Sequence, residues 1–252
     1  MEIWGRQRHR VIVLGTPQAV CQKAADLFAE SAIQAIAAHG RFTTALSGGS
    51  TPKALYKLLA VDKYRQIISW EKVFIFWGDE RCVPPGHTDS NYRMTQDTLL
   101  SKVPIPKTNI FKMYPGGEQP TAAAAAYEQT LVQFFGLGPG EKPRFDLILL
   151  GLGHDGHTAS LFPGSSAVDE KNLLVSACYV STLASYRLTL TLPVLNAATR
   201  TVFLVTGDSK AQVLYDLVTG RNHPQEIPAQ LVQPAGDLLV LADNAAARYL
   251  LN

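Results

Sequence analysis

Alternating strand and helix signals place this chain in the α/β class, with one mostly parallel sheet covered on both faces. Three observations carry that reading. Short apolar runs bounded by glycine, proline or polar residues recur along the 252 residues. Alanine- and leucine-rich stretches at helical spacing separate those runs. No internal repeat or linker breaks the alternation; residues 102–119 are the only weak boundary, so one domain over 1–252 is expected. With 46 % hydrophobic and 17 % charged residues, the composition supports a sizeable core and argues against disorder.

The elements follow in order. Residues 1–10 read as a loose tail and Val11 to Leu14 as the first strand. Thr16-Pro17 opens a helix ending near Gly40, with Pro17 suited to its first turn. Phe42 to Leu46 is a strand, and Pro52 to Ala60 a helix with Ala54, Leu55, Leu58 and Leu59 at helical spacing. Val73 to Trp77 is a strand, 78–90 a polar loop, and Tyr92 to Leu100 a helix. Ile110 to Met113 reads as a short strand and Thr121 to Phe135 as a helix rich in alanine. Phe145 to Leu150, interrupted only by Asp146, reads as a buried parallel strand. Leu173 to Ala177 and Leu188 to Leu192 look like further strands, with a short helix from Pro193. Thr201 to Val205 is a strand, Asp208 caps a helix to Val218, and Leu238 to Leu241 is the last strand before a helix over Asn244 to Leu250.

Composition excludes several classes of function. The formal charge is +2 with no basic stripe, so nucleic acid is not an expected partner. The apolar runs fall well short of the ~20 residues a spanning helix needs. The basic N-terminus (Arg6, Arg8, Arg10) precedes an apolar run too short for a signal-peptide core. Cys21, Cys82 and Cys178 form no CxxC pair, which fits three free thiols in a reducing cytoplasm. Of six histidines (His9, His39, His87, His154, His157, His223), only His154 and His157 are close, without HExxH or paired cysteines, so no metal or cofactor is expected. A GxSxG elbow is absent, which argues against a serine nucleophile.

The stretch from Gly151 to Gly164 carries the strongest chemical signal. It follows a strand, where open α/β sheets place their ligands, and packs Asp155, His154 and His157 among glycines. Gly151 to Gly156 matches GxGxxG literally, but a dinucleotide loop must open a long helix and Pro163-Gly164 stops the chain within eight residues. The alternative is acid–base chemistry. Histidine as a residue type titrates near pH ~6.5 and suits a general base, and Asp155 is placed to orient His157 or to share its proton.

Three other places carry charge or glycine at an element boundary. Ser47-Gly48-Gly49-Ser50-Thr51 lies between a strand and a helix N-terminus, a plausible anion cradle without the GxxxxGK[ST] of a P-loop, though an ordinary βα turn has the same composition. In Gly78-Asp79-Glu80-Arg81 the arginine is placed to hold a carbonyl oxygen or phosphate, fixed by the two carboxylates; a surface ion pair is the plain alternative. Arg187 is a cation at a strand start, and Lys210 opposes the dipole of the helix it begins, which an anion nearby would explain.

Five segments occur here in the order found in 6-phosphogluconolactonases: Ser47 to Pro52, Gly78 to Arg81 with Ser90-Asn91-Tyr92, Asp146 to Pro163, Arg187 to Pro193, and Gly207 to Ala211. From residue 11 onward the chain resembles that family, most specifically in Asp155 to Pro163. The resemblance implies a three-layer α/β/α domain with a Rossmann-like sheet, shared with glucosamine-6-phosphate deaminases and ribose-5-phosphate isomerases. It implies metal-free hydrolysis of 6-phospho-D-glucono-1,5-lactone in the oxidative pentose phosphate pathway. In that assignment His157 activates water, Asp155 orients it, and Arg81 stabilises the oxyanion or grips substrate. Ser47, Gly48, Gly49, Ser50, Thr51, Arg187 and Lys210 hold the 6-phosphate, and His154 has no role. Deaminases carry an acid after Asp-Gly-His and a tyrosine at the position of Arg81; Thr158 to Pro163 has no acid. A non-catalytic sugar-phosphate sensor would add a helix-turn-helix, which residues 1–10 do not hold. The sequence leaves the oligomeric state open and is compatible with a monomer.

Overall fold

The computed structural model describes residues 1–5, 10–220, 223 and 225–251. Along the chain the elements are β1 (Glu2–Trp4), β2 (Arg10–Leu14), α1 (Pro17–His39), β3 (Phe42–Leu46), α2 (Ser50–Leu59), α3 (Asp62–Ile67), β4 (Val73–Trp77), β5 (Asp79–Arg81), α4 (Asn91–Thr95), α5 (Pro120–Phe135), β6 (Leu147–Gly151), β7 (Val175–Val180), β8 (Ser185–Leu190), α6 (Leu192–Leu195), β9 (Arg200–Val205), α7 (Ala211–Thr219) and β10 (Asp237–Asp243). Seven strands form one sheet in the order β1-β2-β10-β9-β6-β3-β4, parallel except for β1. The central strands are buried almost along their whole length, which is why they read as continuous apolar runs.

Helices cover both faces, as period-two alternation along the strands makes plain. Phe42 of β3 meets Phe28 of α1 edge-on at 5.2 Å. Phe76 of β4 is in register with Ala45, which points to the opposite face, and packs against Tyr127 and Phe134 of α5. Truncating so buried a phenylalanine as Phe76 costs about 3–5 kcal/mol. The helix α1 has the termini its sequence announces: Thr16 Oγ1 accepts from the Ala19 N–H, and Gly40 closes the helix at φ 81°.

Several expectations are corrected. Leu173 to Ala177 and Leu188 to Leu192 do supply strands, shifted to β7 and β8, but these join β5 in a separate three-stranded antiparallel sheet. Only four residues link β7 to β8, far too few for the crossover a parallel pair requires. The expected loop 78–90 begins with β5, because the chain passes from one sheet to the other at Gly78. Its N–H donates to Leu46 O of β3, and its carbonyl accepts from the Leu190 N–H of β8. Ile110 makes only an isolated bridge to Ile75. Asp208 does not cap α7: it opens a 3-10 turn and its carboxylate pairs with Arg248 at 2.6 Å. Asn244 to Leu250 forms turns, not a helix. Within the expected tail, Glu2–Trp4 is an edge strand on β2, and Arg6, Arg8 and His9 lie outside the described residues. Among the described residues no helix is long and apolar enough to cross a membrane.

Candidate active site

The strands β3 and β6 are neighbours, yet the chain leaves them in opposite directions, β3 toward β4 and β6 toward β9. Such a switch point opens a crevice beyond the carboxyl ends of the strands. A cleft of about 250 Å³ lies there. It brings together Ser47, Gly48, Gly49, Ser50 and Thr51 after β3, Arg81 after β4 and β5, His157 after β6, and Lys210 after β9. Asp155 reaches it through His157. Arg187 is not among the lining residues; it stands directly opposite Arg81 across β5 and β8. A larger hollow of about 720 Å³ lies at the amino ends of the strands, lined by Arg41 and Arg144, a His39–Asp146 contact and an Arg200–Asp237 ion pair.

The segment after β6 is a tight local structure. Gly153 N–H donates to His157 O at 2.8 Å, and Gly156 N–H to Gly153 O at 3.2 Å. These bonds set His157 Nδ1 at 2.5 Å from Asp155 Oδ1. Glycine is required at 153 for space: a Cβ there would collide with His157 Nδ1 and Asp155 Oδ1. Phe162 stacks on the imidazole at 4.1 Å and closes its other side. Thr158 Oγ1 donates to Gly151 O, which ties the segment back to β6. Burial works to raise the Asp155 pKa, but the hydrogen bond and charge of His157 outweigh it and hold the carboxyl at about 2. An ionised carboxylate only accepts, so Nδ1 carries a proton, and the neutral imidazole in that tautomer has its lone pair on Nε2.

The turn after β3 is pinned from below by Tyr56, whose buried hydroxyl donates to Ser47 O and accepts from Ser47 N–H. The helix α2 begins at Ser50, two residues before the expected start, and no side chain caps its first N–H groups. Ser47 Oγ is buried without a hydrogen-bond partner. Lys210 has no ion pair within 4 Å among the described residues; burial lowers its pKa, against a raising influence from Asp155. Uncapped helix N–H groups, an unsatisfied hydroxyl and a desolvated ammonium share one end of the cleft, where an anion would satisfy all three.

The remaining wall holds residues whose importance the sequence does not announce. Asp79 is buried and accepts from Ser160 Oγ at 2.8 Å, bridging β5 to the His157 segment. Asn91, 1 % exposed, donates Nδ2 to Asp79 O at 2.9 Å, and its Oδ1 fills the space a Cβ at Gly48 would occupy. Neither Asp79 nor Glu80 pairs with Arg81, contrary to expectation; Arg81 Nη1 donates to Asp89 O at 2.6 Å. Thr206 also lines the cleft and shares a 2.7 Å hydrogen bond with Thr51. His154, given no role above, lines it too. Ser90-Asn91 is the one signal that points to Asn91 in advance, since Ser90 caps α4 and fixes where the next residue faces. Cys21, Cys82 and Cys178 are free thiols. Among the described residues no cluster of three or more His, Cys, Asp or Glu is disposed to hold a metal.

Residues 15–241 match the family model described as glucosamine-6-phosphate isomerases/6-phosphogluconolactonase. A 6-phosphogluconolactonase of Synechocystis sp. is 43 % identical over 96 % of this chain and 98 % of its own length. One from Nostoc sp. is 40 % identical over 95 % and 98 %. Among solved structures, 6-phosphogluconolactonase from Trypanosoma cruzi superimposes with a TM-score of 0.84 at 30 % identity, covering 96 % of this chain and 97 % of that one. A monomeric glucosamine-6-phosphate deaminase shares the fold, with a TM-score of 0.77 at 22 % identity over 94 % and 98 % of the two chains.

Proposed function

This chain belongs to the glucosamine-6-phosphate isomerase/6-phosphogluconolactonase family, and on that premise we propose that it hydrolyses 6-phospho-D-glucono-1,5-lactone to 6-phospho-D-gluconate. The observation that carries the reading is the Asp155–His157 pair at the carboxyl end of β6, with an anion-seeking helix terminus and Lys210 in the same cleft. The phosphate sits on the N–H groups that open α2, with Ser47 to Thr51 and Lys210 around it. Arg187, opposite Arg81, adds positive potential rather than a direct contact.

Catalysis follows from that placement. His157 Nε2 takes a proton from water as the water oxygen bonds to the lactone carbonyl carbon. Asp155 accepts from Nδ1–H and stabilises the imidazolium; a carboxyl held at about 2 is too weak a base to take the proton itself. Arg81 donates to the developing oxyanion, an interaction worth roughly 3–4 kcal/mol for a well-placed donor. As the tetrahedral intermediate collapses, the bond from carbon to ring oxygen breaks, and the imidazolium returns its proton to that oxygen. No acid lies between Thr158 and Pro163 to assist the ring opening of an amino sugar. The three free cysteines fit a cytoplasmic setting. Hydrolysis of freshly prepared lactone, with the spontaneous rate subtracted, tests the reading: acceleration is expected, and a rate equal to background would overturn it.

A further inference from the structure

The mechanism above uses Arg81, which ends the three-residue strand β5, and the cleft wall beside Gly48 is filled by Asn91, the first residue of α4. Between the two lies Glu80, a carboxylate only 2 % exposed. Oε1 accepts from Arg81 N–H at 2.8 Å and from Asn91 N–H at 2.7 Å. Oε2 accepts from Tyr92 N–H at 2.8 Å and from Ser90 Oγ at 3.1 Å. The Ser90 hydroxyl accepts at the same time from Arg93 N–H, so its proton must point at Glu80. All four partners are donors, and three are backbone groups that can do nothing else.

We propose that Glu80 is a positioning residue, whose buried carboxylate ties the backbone of Arg81 to that of Ser90–Tyr92 and so aims Arg81 and Asn91 into the cleft. The proposal rests on the reading that Arg81 meets the lactone. The pattern of bonds explains why a carboxylate is buried here at all: it gathers four donors from two sequence segments that no hydrogen bond of regular sheet or helix would join. Burial pushes its pKa up while the bonds from Tyr92, Asn91 and Arg81 pull it down. Glutamine cannot replace it, because its single carbonyl oxygen serves one pair of donors and its NH₂ faces the other pair.

Glu80→Gln lowers kcat/KM by roughly 10–100-fold, the scale on which misplaced groups cost rate. The discriminating measurement is the same substitution in an Arg81→Ala background, where its effect shrinks to a few-fold at most because only the part that acts through Asn91 is left. An equal loss in both backgrounds would overturn the proposal in favour of a general role in folding. Amide hydrogen exchange gives a readout independent of turnover: exchange at Arg81, Asn91 and Tyr92 accelerates in the variant, with β2 and β10 unchanged. If the native protein shows no lactonase activity, the functional reading fails, and unaltered exchange in the variant is then what sinks the positioning role. If Glu80→Gln does not fold, Ser90→Ala removes one of the four donors and is expected to give the same pattern at a few-fold scale.

Discussion

Segment 151–162 and segment 78–92 form facing walls of one cleft, and they are held by opposite means. In the first, the groups that matter are two to five residues apart: Asp155 with His157, Gly153 with His157, and His157 with Phe162. In the second, the bonds reach across the chain, from Glu80 to Asn91 and from Ser160 to Asp79, 81 residues away. One wall is a local fold of the backbone that presents His157. The other is assembled by buried carboxylates from pieces of strand, loop and short helix. Damage to the first should therefore stay local and show in turnover, whereas damage to the second should spread along the wall.

The largest effect is expected from His157→Ala, which removes the proposed proton acceptor. Turnover should fall by about 100-fold or more with the unfolding midpoint little changed. Near-normal turnover in a steady-state assay would move the base elsewhere and undo the local reading of that wall. Gly153→Ala comes next. The added methyl must displace His157 or Asp155, so kcat should drop by roughly 10–100-fold although no functional group is deleted. A variant with native kcat would mean the pair has slack, and the contrast between a rigid local wall and an assembled one would weaken.

Lys210→Ala and Arg187→Ala separate a residue in the cleft from one that does not line it. Losing the Lys210 ammonium should raise KM about tenfold or more while kcat holds, since a charge-assisted contact to phosphate is lost. Arg187→Ala should raise KM only a few-fold. Its Nη1 is buried without a partner and it stands opposite Arg81, so removing it also relieves like-charge repulsion. A larger KM change for Arg187 than for Lys210, measured with the same lactone, would place the phosphate on the small-sheet side of the cleft.

The two walls also differ in how far the sequence discloses them. The His157 wall is legible because its contacts are close along the chain, with glycine and histidine following an apolar strand. The turn from Ser47 to Thr51 is legible for the same reason, and the strands Phe42–Leu46 and Val73–Trp77 are bounded by polar residues or glycine. The wall at 78–92 reads as a polar loop because Asp79 and Glu80 look like surface charges; only tertiary contacts show that both point inward. The antiparallel sheet is hidden too, since alternation in Leu188 to Leu192 fixes neither partner nor direction. The terminal stretch Asn244 to Leu250 has helical composition and a capping residue in Asp243, whose side chain and carbonyl accept from Ala246 N–H and Ala247 N–H, yet it continues only as turns.

The smallest effect, and the one that compares the walls most directly, is the order in which their carboxylates take up protons. Asp155 is held at about 2, so its contribution to stability is present above the ordinary aspartate value of about 3.9 and is lost as pH falls from there toward 2. Its side chain is 36 % exposed, and solvent screening keeps that contribution below about 1 kcal/mol. Glu80 has the opposite sign. Burial raises its pKa, so its ionisation opposes folding, and the stability its protonated form supplies is lost as pH rises through the folded value. On acidification Glu80 therefore protonates first, above the usual glutamate range, and a protonated carboxyl gives up one of its four donors. The released donor should open locally although the folded state as a whole gains stability, while the Asp155–His157 pair still holds. Carboxyl carbon NMR titration reads both residues in one experiment, and amide exchange at Asn91 and Tyr92 should quicken as the Glu80 signal moves. Titration of Asp155 before Glu80 would reverse the assignment of which wall is held by charge and which by burial.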